Sequence, residues 1–369
     1  MRRIPILRPL ALAAVAVALV LAVPAPAQTP EEIQKAVSAA YEKYKDLKEG
    51  ANADYIPALA RVDPKLYGIA LVTVDGKVYA AGDVKTEVSI QSISKVFTMA
   101  KVIEEQGLDA IPKTIGVDAT GMRFNSIIAV ELAKKALGGP EINPLVNPGA
   151  ITATSMLKGA TRDEIWKGLL AFYSDFAGRL LAVNAEVFKS ESDTNQRNQA
   201  IGYLMHAYGF IKADPMRATD IYTEQCSVNV NAKDLATMAA SLANGGKNPL
   251  TGKQVIQTGN VPGLLAVMVT AGLYDDSGKW YYRTGLPAKS GVGGGIIAVS
   301  PGKFGIAVIS PVRKRRARRM SAPLLKSARL PVVWKTAASP ANLTPIREVS
   351  FTSWKSRNGW ASGPFGART

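Results

Sequence analysis

The chain changes its hydrophobic rhythm several times. An uncharged apolar run, Leu10 to Val23, comes first. From Thr29 to Asp46 the apolar positions Ile33, Val37, Ala40, Tyr41 and Tyr44 recur at helical spacing among charged residues, which predicts an amphipathic helix. Tyr67 to Val74 is rich in β-formers, and Asp75-Gly76 separates it from Lys77 to Ala81. Asp-Gly between two such runs predicts a hairpin, because both turn positions need positive φ. Ser92 to Gln106 reads as an apolar, largely buried helix closed by Gly107. Roughly residues 120 to 245 are mainly helical in pattern. A second hairpin follows: Ile296 to Ser300, a Pro301-Gly302-Lys303 turn, then Phe304 to Ser310. Strands at both ends with helices between predict an α/β (α+β) chain, one antiparallel sheet carrying an inserted helical region. The sheet part spans about 28–115 and 250–310, and the helical part about 116–249. There is no internal repeat.

The first apolar run is read as part of a leader. Arg2, Arg3 and Arg8 make a basic n-region, and Ala25-Pro26-Ala27 is the small-x-small pattern that signal peptidase cuts. We expect cleavage after Ala27 and a periplasmic or secreted protein. The run is short for a bilayer span of ~20 residues. No other stretch is apolar and long enough to span a membrane.

The formal charge of +16 suggests an acidic partner until the charge is located. The leader carries three positives, and Pro311 to Thr369 carries thirteen Lys or Arg against the single acid Glu348. That leaves residues 28 to 310 at +1, so the basic character describes the tail and not the body.

Two counts narrow the chemistry. With one cysteine, Cys226, no internal disulfide and no cysteine-based zinc site can form. Cys226 is expected at the start of a buried strand or helix. With one histidine, His206, sites built on several histidines are excluded, and a Ser-His-Asp enzyme would have to use that residue. His206 lies in the apolar stretch Gly202 to Tyr208 and reads as core or half-buried. A hydrolase built on this chain therefore needs Lys, Tyr, Asp or Glu as its base.

Ser92-Ile93-Ser94-Lys95 supplies such a pair, since positions three apart share a helix face. A serine hydroxyl needs a base at neutral pH, and a desolvated lysine can serve, its pKa falling from ~10.4 toward neutrality. The pattern S-x-x-K is weak by itself, for Ser300 to Lys303 also matches it and is a turn. A second element strengthens it: Lys289-Ser290-Gly291, followed by Val292-Gly293-Gly294-Gly295 and a strand. In penicillin-recognising serine enzymes, S-x-x-K on a helix and K-[ST]-G on a strand line one cleft. The glycines let a backbone approach a substrate and aim N–H groups at a developing oxyanion.

Five blocks resemble the glutaminase family: Ala53 to Ala60, Ser89 to Phe97, Asn143 to Ile151, Arg197 to Tyr203 and Gly285 to Val292. They occur in order at family-like spacing between about residues 30 and 310. The resemblance implies a serine β-lactamase/transpeptidase-like fold and hydrolysis of L-glutamine to L-glutamate and ammonia. It implies Ser92 as nucleophile, Lys95 as base and Tyr274 as proton relay to the leaving ammonia. It places Tyr55 and Tyr222 in the pocket, Asn147, Glu191 and Asn198 on the amino-acid end of the substrate, and the N–H groups of Ser92 and Val292 in the oxyanion hole. A carboxylate suits the ammonium of glutamine, and two Asn side chains can donate and accept without adding charge. No metal or organic cofactor is implied, the partner is L-glutamine, and a homodimer or homotetramer is expected.

The nearest rival reading is a penicillin-binding protein or β-lactamase, which shares the Ser-Lys and Lys-Ser-Gly elements. Those families usually carry S-D-N or Y-x-N where this chain has Asn147 and the Glu191 to Asn198 block. A rival of another class is binding of nucleic acid or anionic surfaces through the tail. Six of the seven residues from Arg313 to Arg319 are cationic, and the family's C-terminal helix is not encoded there. So abrupt a change is what translation in a shifted frame produces. The body is expected to bind neither nucleic acid nor, once the leader is cleaved, membrane. The tail, from about residue 312, is expected to stay disordered.

Overall fold

A computed structural model describes residues 28–47, 50–135, 138–139 and 141–311. The leader and the basic tail beyond 311 lie outside them, and so do the expectations placed on both.

The chain opens with α1 (Pro30–Tyr44), started by a capping box in which Thr29 and Glu32 exchange hydrogen bonds. After α2 (Pro57–Ala60) come β1 (Gly68–Thr73), β2 (Val78–Gly82) and β3 (Val88–Ser89). A 3-10 turn, Gln91–Ile93, runs directly into α3 (Ser94–Gln106). Then follow α4 (Ala110–Thr114), α5 (Ile127–Lys135), α6 (Asn147–Ser155), α7 (Arg162–Ala177), α8 (Ala185–Ser192), α9 (Gln196–Ala207) and α10 (Pro215–Cys226). The return to the sheet runs through β4 (Asn229–Val230), α11 (Ala232–Ala243), α12 (Val261–Ala271), α13 (Ser277–Thr284), β5 (Ala288–Ser290), β6 (Gly295–Ser300) and β7 (Phe304–Ile309).

Both expected hairpins form. They join into one five-stranded antiparallel sheet of order β2-β1-β7-β6-β5, so the two chain ends meet along β1 and β7 with Ala70 opposite Ala307. Alternation along the strands sorts side chains onto two buried faces. Ile69, Leu71, Ile306 and Val308 pack with Val37 and Ala40 of α1 and Trp280 of α13. Ala70, Val72, Ala307 and Ile309 pack with Leu235, Ala236, Ala239 and Ala240 of α11. Although α11 lies inside the span read as helical region, its buried side chains thus serve the sheet. Gly305 permits this closeness, because a Cβ there would lie 2.1 Å from the Ala240 backbone nitrogen.

A third buried cluster holds the inserted region together: Ile151 of α6, Ile201 and Met205 of α9, and Ala218, Tyr222 and Cys226 of α10. Two residues depart from expectation here. Cys226 is buried but ends α10 instead of starting an element. His206 is exposed on α9, its Nδ1 2.9 Å from the Ile211 carbonyl oxygen, because the helix turns its apolar face elsewhere. Another connection was not legible in the sequence. The short strands β3 and β4 pair, and the Ile90 N–H donates to the Val228 carbonyl at 2.8 Å. This ties the segment before α3 to the end of α10 and fixes where α3 begins.

Candidate active site

The start of α3 meets the sheet edge and the inserted helices. Ser92 lies in the first turn, where amides lack intrahelical acceptors. Lys95, one turn on, is fully buried, and its Nζ is 3.0 Å from Ser92 Oγ. The same nitrogen donates to Asn147 Oδ1 at 2.6 Å and lies 5.5 Å from the Tyr222 ring centre. Burial pulls the Lys95 pKa down to about 8, against the opposing pull of Cys226 and Glu191. The three-residue spacing of the two side chains and the apolar setting therefore produce a serine beside an amine that can be neutral near physiological pH.

Asn147 begins α6, and its side chain is held by three partners. Its Oδ1 accepts from Lys95 and from the Tyr222 hydroxyl at 3.0 Å, and its Nδ2 donates to Asn198 Oδ1 at 2.9 Å. Tyr222 is buried on α10, and burial raises its hydroxyl pKa well above the ordinary value, so it stays a donor. Glu191, near the end of α8, is also buried, and its Oε2 accepts from Gln91 Nε2 at 3.2 Å. Burial raises the Glu191 pKa to about 7, with the Gln91 bond and the Lys95 charge pulling the other way.

On the sheet side, Lys289 is the middle residue of β5 and is fully buried. Its Nζ donates to the Ser290 carbonyl at 2.7 Å and to the Tyr274 hydroxyl at 3.3 Å, 4.3 Å from that ring's centre. The turn after β5 crosses the approach to α3 closely. A Cβ on Gly291 would lie 2.8 Å from the Ile90 carbonyl oxygen, and one on Gly293 would lie 2.7 Å from that of Ser89. Between those glycines, the Val292 N–H meets no protein acceptor among the described residues. Among the described residues two non-glycines have left-handed backbone, Gln91 at φ 51° and Tyr274 at φ 55°, and both belong to this site. Such conformations cost of order 1–3 kcal/mol and persist where the surroundings over-determine them.

A cavity of about 750 Å³ opens in front of Ser92, lined also by Tyr55, Tyr274, Ser290, Gly291 and Val292 and by residues 121–128. The nine residues expected from sequence thus divide in two. Ser92, Tyr55, Tyr274 and Val292 line the cavity, while Lys95, Asn147, Glu191, Asn198 and Tyr222 are not on its wall. Hydrogen bonds join Lys95, Asn147, Tyr222 and Asn198 into one network behind Ser92. Three residues beyond those nine contribute. Gln91 holds Glu191, Lys289 touches Tyr274, and the Phe124 ring packs at a tilt against Tyr274, 5.6 Å between ring centres. Lys289 alone had a signal, its place in Lys-Ser-Gly. Among the described residues no group of three or more His, Cys, Asp or Glu could hold a metal ion.

Chemically, this arrangement offers a hydroxyl beside an amine that can act as base, a Val292 N–H without a protein acceptor among the described residues on the wall of the same cavity, and a second lysine–tyrosine pair, Lys289 and Tyr274. It is suited to acyl transfer.

Comparison with known proteins identifies the family. The family model described as Glutaminase matches residues 50–316. A glutaminase of Colwellia psychrerythraea strain 34H is 52% identical over 287 residues, covering 77% of this chain and 91% of that protein. Glutaminase 1 of Escherichia coli O157:H7 is 49% identical over 280 residues, covering 76% and 89%. Among solved structures, the probable glutaminase YbaS superposes with a TM-score of 0.79 at 46% identity, covering 81% of this chain and 97% of that one. The Bacillus subtilis glutaminase YbgJ, solved as a covalent complex with 5-oxo-L-norleucine, gives a TM-score of 0.68 at 29% identity, covering 80% and 95%. The fold is β-lactamase-like, as expected from the sequence. By family match, sequence identity and fold, this chain belongs to the glutaminase family and is an amidohydrolase acting on glutamine.

Proposed function

We propose that glutamine hydrolysis proceeds through a γ-glutamyl ester on Ser92. The observation that carries this reading is the buried Lys95 amine 3.0 Å from Ser92 Oγ. Neutral Lys95 takes the Ser92 proton as Oγ attacks the side-chain amide carbon. The N–H groups of Ser92 and Val292 receive the oxyanion, and the Tyr274 hydroxyl, beside Lys289, passes a proton to the departing ammonia. Water then repeats the sequence and releases glutamate. Ionised Glu191 pairs with the substrate ammonium, Asn147 and Asn198 bond its carboxylate and amine, and Tyr222 and Tyr55 complete the pocket.

The reading is tested with 6-diazo-5-oxo-L-norleucine, the reagent from which the covalent complex of the B. subtilis relative was formed. Peptide mapping of the treated chain should place the adduct on Ser92, and Ser92→Ala should abolish it. An adduct on another residue overturns the assignment. The purified chain should release ammonia from glutamine and leave a chromogenic cephalosporin intact; cephalosporin turnover without ammonia release would favour the penicillin-recognising alternative.

The leader pattern at residues 1–27 supports a periplasmic or secreted protein after cleavage at Ala27, checked by N-terminal sequencing of the exported protein. We also take the working form to be a homodimer or homotetramer, checked by light scattering. Within the described residues, no helix is long and apolar enough to cross a membrane.

A further inference from the structure

Gln91 immediately precedes Ser92, and its side chain is buried behind the cavity wall. Its Nε2 donates to Ser89 Oγ on β3 at 3.2 Å and to Glu191 Oε2 on α8 at 3.2 Å. Both amide hydrogens are thereby committed, and a turned amide would set its oxygen against a carboxylate. Among the described residues Gln91 is the one donor to the Glu191 carboxylate, and Glu191 Oε1 accepts no hydrogen bond. Glu191 is thus held by one oxygen and offers the other.

This matters for charge. Burial favours the neutral form of Glu191, and the two influences opposing it are the Gln91 hydrogen bond and Lys95. The other titratable groups that face Glu191 are Tyr222 and Cys226 of α10, and neither carries a positive charge. Lys95 must shed its own charge to act as base. In the working form the Gln91 bond is therefore what remains to keep the buried carboxylate ionised, and hydrogen bonds to an ionised acceptor are roughly twice as strong as neutral ones. The backbone of Gln91 points the same way. Its φ of 51° is strained for a residue with a side chain, and glycine would supply that conformation without cost. Its carbonyl accepts from the Ser94 N–H and, at 2.7 Å, from Ser94 Oγ, which ties it to the start of α3. The glycine turn lies over it: a Cβ on Gly291 would be 3.4 Å from Gln91 Cβ, and one on Gly293 would be 3.4 Å from Gln91 Cγ. A side chain kept at such a position is explained by what it touches.

We propose that Gln91 is a positioning residue for selection of the substrate's α-ammonium: its amide fixes Glu191 Oε2, so that Oε1 meets the ammonium. Because Gln91 also leads directly into Ser92, the group that recognises the amino acid and the nucleophile that attacks its side chain are set by one residue. The inference deepens the proposed function and rests on the assignment of Glu191 to the ammonium.

The test measures binding to the full chain by calorimetry at about pH 8, on the ionised side of Glu191. The two ligands are L-glutamate and glutarate, which has both carboxylates and no ammonium, so the ratio of their affinities reports the ammonium. Gln91→Met keeps the length and removes the donor. Gln91→Gly removes the side chain and suits the left-handed backbone. Both should lower the ratio of L-glutamate to glutarate affinity by about tenfold or more, as loss of one hydrogen bond to a charged group does, and should move glutarate little. With glutamine, both should raise KM by a larger factor than they lower kcat. A ratio unchanged in both variants, whether or not both ligands weaken, marks a merely structural role and overturns the proposal. A ratio kept by Gln91→Gly shows that only the backbone matters here and overturns it too. Glu191→Gln is the control: an unchanged ratio in that variant overturns the ammonium assignment itself, whatever the Gln91 variants show.

Discussion

Lys95 Nζ is nearer to Asn147 Oδ1, at 2.6 Å, than to Ser92 Oγ, at 3.0 Å. The amide of Asn147 cannot turn freely, because its Nδ2 is committed to Asn198. Its oxygen is thus aimed at the lysine, favouring the ammonium form and limiting how far burial depresses the pKa. Asn147 thereby links Lys95 to Asn198, which on the proposed mechanism joins the base to the group that holds the substrate's amino-acid end.

Replacing Asn147 with Asp is expected to add a negative charge at that oxygen. The Lys95 pKa should rise by about 1–3 units, moving the acid limb of the kcat/KM profile to higher pH and lowering the rate near neutrality. A folded Asn147→Asp enzyme with an unmoved acid limb would contradict the role given to Lys95.

The wild-type pH profile has a sign fixed by two groups. Lys95, drawn down to about 8, must lose its proton to act as base, and Glu191, drawn up to about 7, must lose its proton to pair with an ammonium. Both requirements fail as pH falls, so kcat/KM should climb through this interval and be small below it. Steady-state ammonia release from about pH 5.5 to about pH 9.5 measures this. A rate that peaks on the acid side would show that one of the two protonation states is assigned wrongly.

Ser92→Ala and Lys95→Ala should each reduce kcat by about 10³-fold or more, and the double variant should be little worse, since nucleophile and base act as a unit. His206→Gln should keep most activity, because His206 is exposed and bonds only to the Ile211 carbonyl among the described residues. Loss in a folded His206→Gln enzyme equal to that in Ser92→Ala would end the Ser-Lys assignment.

Gly305→Val tests the sheet–helix packing away from the site. A Cβ there would lie 2.1 Å from the Ala240 nitrogen and 2.4 Å from the Ala239 carbonyl carbon, so α11 must retreat from β7. Overpacking of this kind costs about 1–3 kcal/mol or more, which should lower Tm by several degrees in a thermal melt. An unchanged Tm would mean that α11 yields without cost.

The basic tail makes a prediction about the encoding DNA. The family match ends at residue 316, just past Pro311, where the run of arginines begins. A one-base shift near the Pro311 codon should restore an acidic turn and an amphipathic helix. If neither other frame does so, the tail is a genuine basic segment, and its affinity for nucleic acid should be measured against salt.

Local chemistry made much of this protein legible in the sequence alone. Asp75-Gly76 and Pro301-Gly302-Lys303 turn two β-rich runs into hairpins, and helical spacing in Thr29 to Asp46 gives α1. Ser92 and Lys95 meet because a helix brings positions three apart together, whatever surrounds them. The glutaminase resemblance named the remaining site residues without saying how they touch. Only tertiary structure decided that. The pairing of β3 with β4 sets the start of α3, α6 and α10 deliver Asn147 and Tyr222 to Lys95, and β5 sets Lys289 against Tyr274. Packing also displaced two local expectations: it turned His206 outward, and it made Cys226 the buried end of α10. These relations join residues from 15 positions apart, for Lys289 and Tyr274, to 142, for Val88 and Val230. They depend on which faces must be buried together, and a sequence window has no access to that. The low pKa of Lys95 belongs to the same class, since it comes from dehydration by helices and strands distant in the chain.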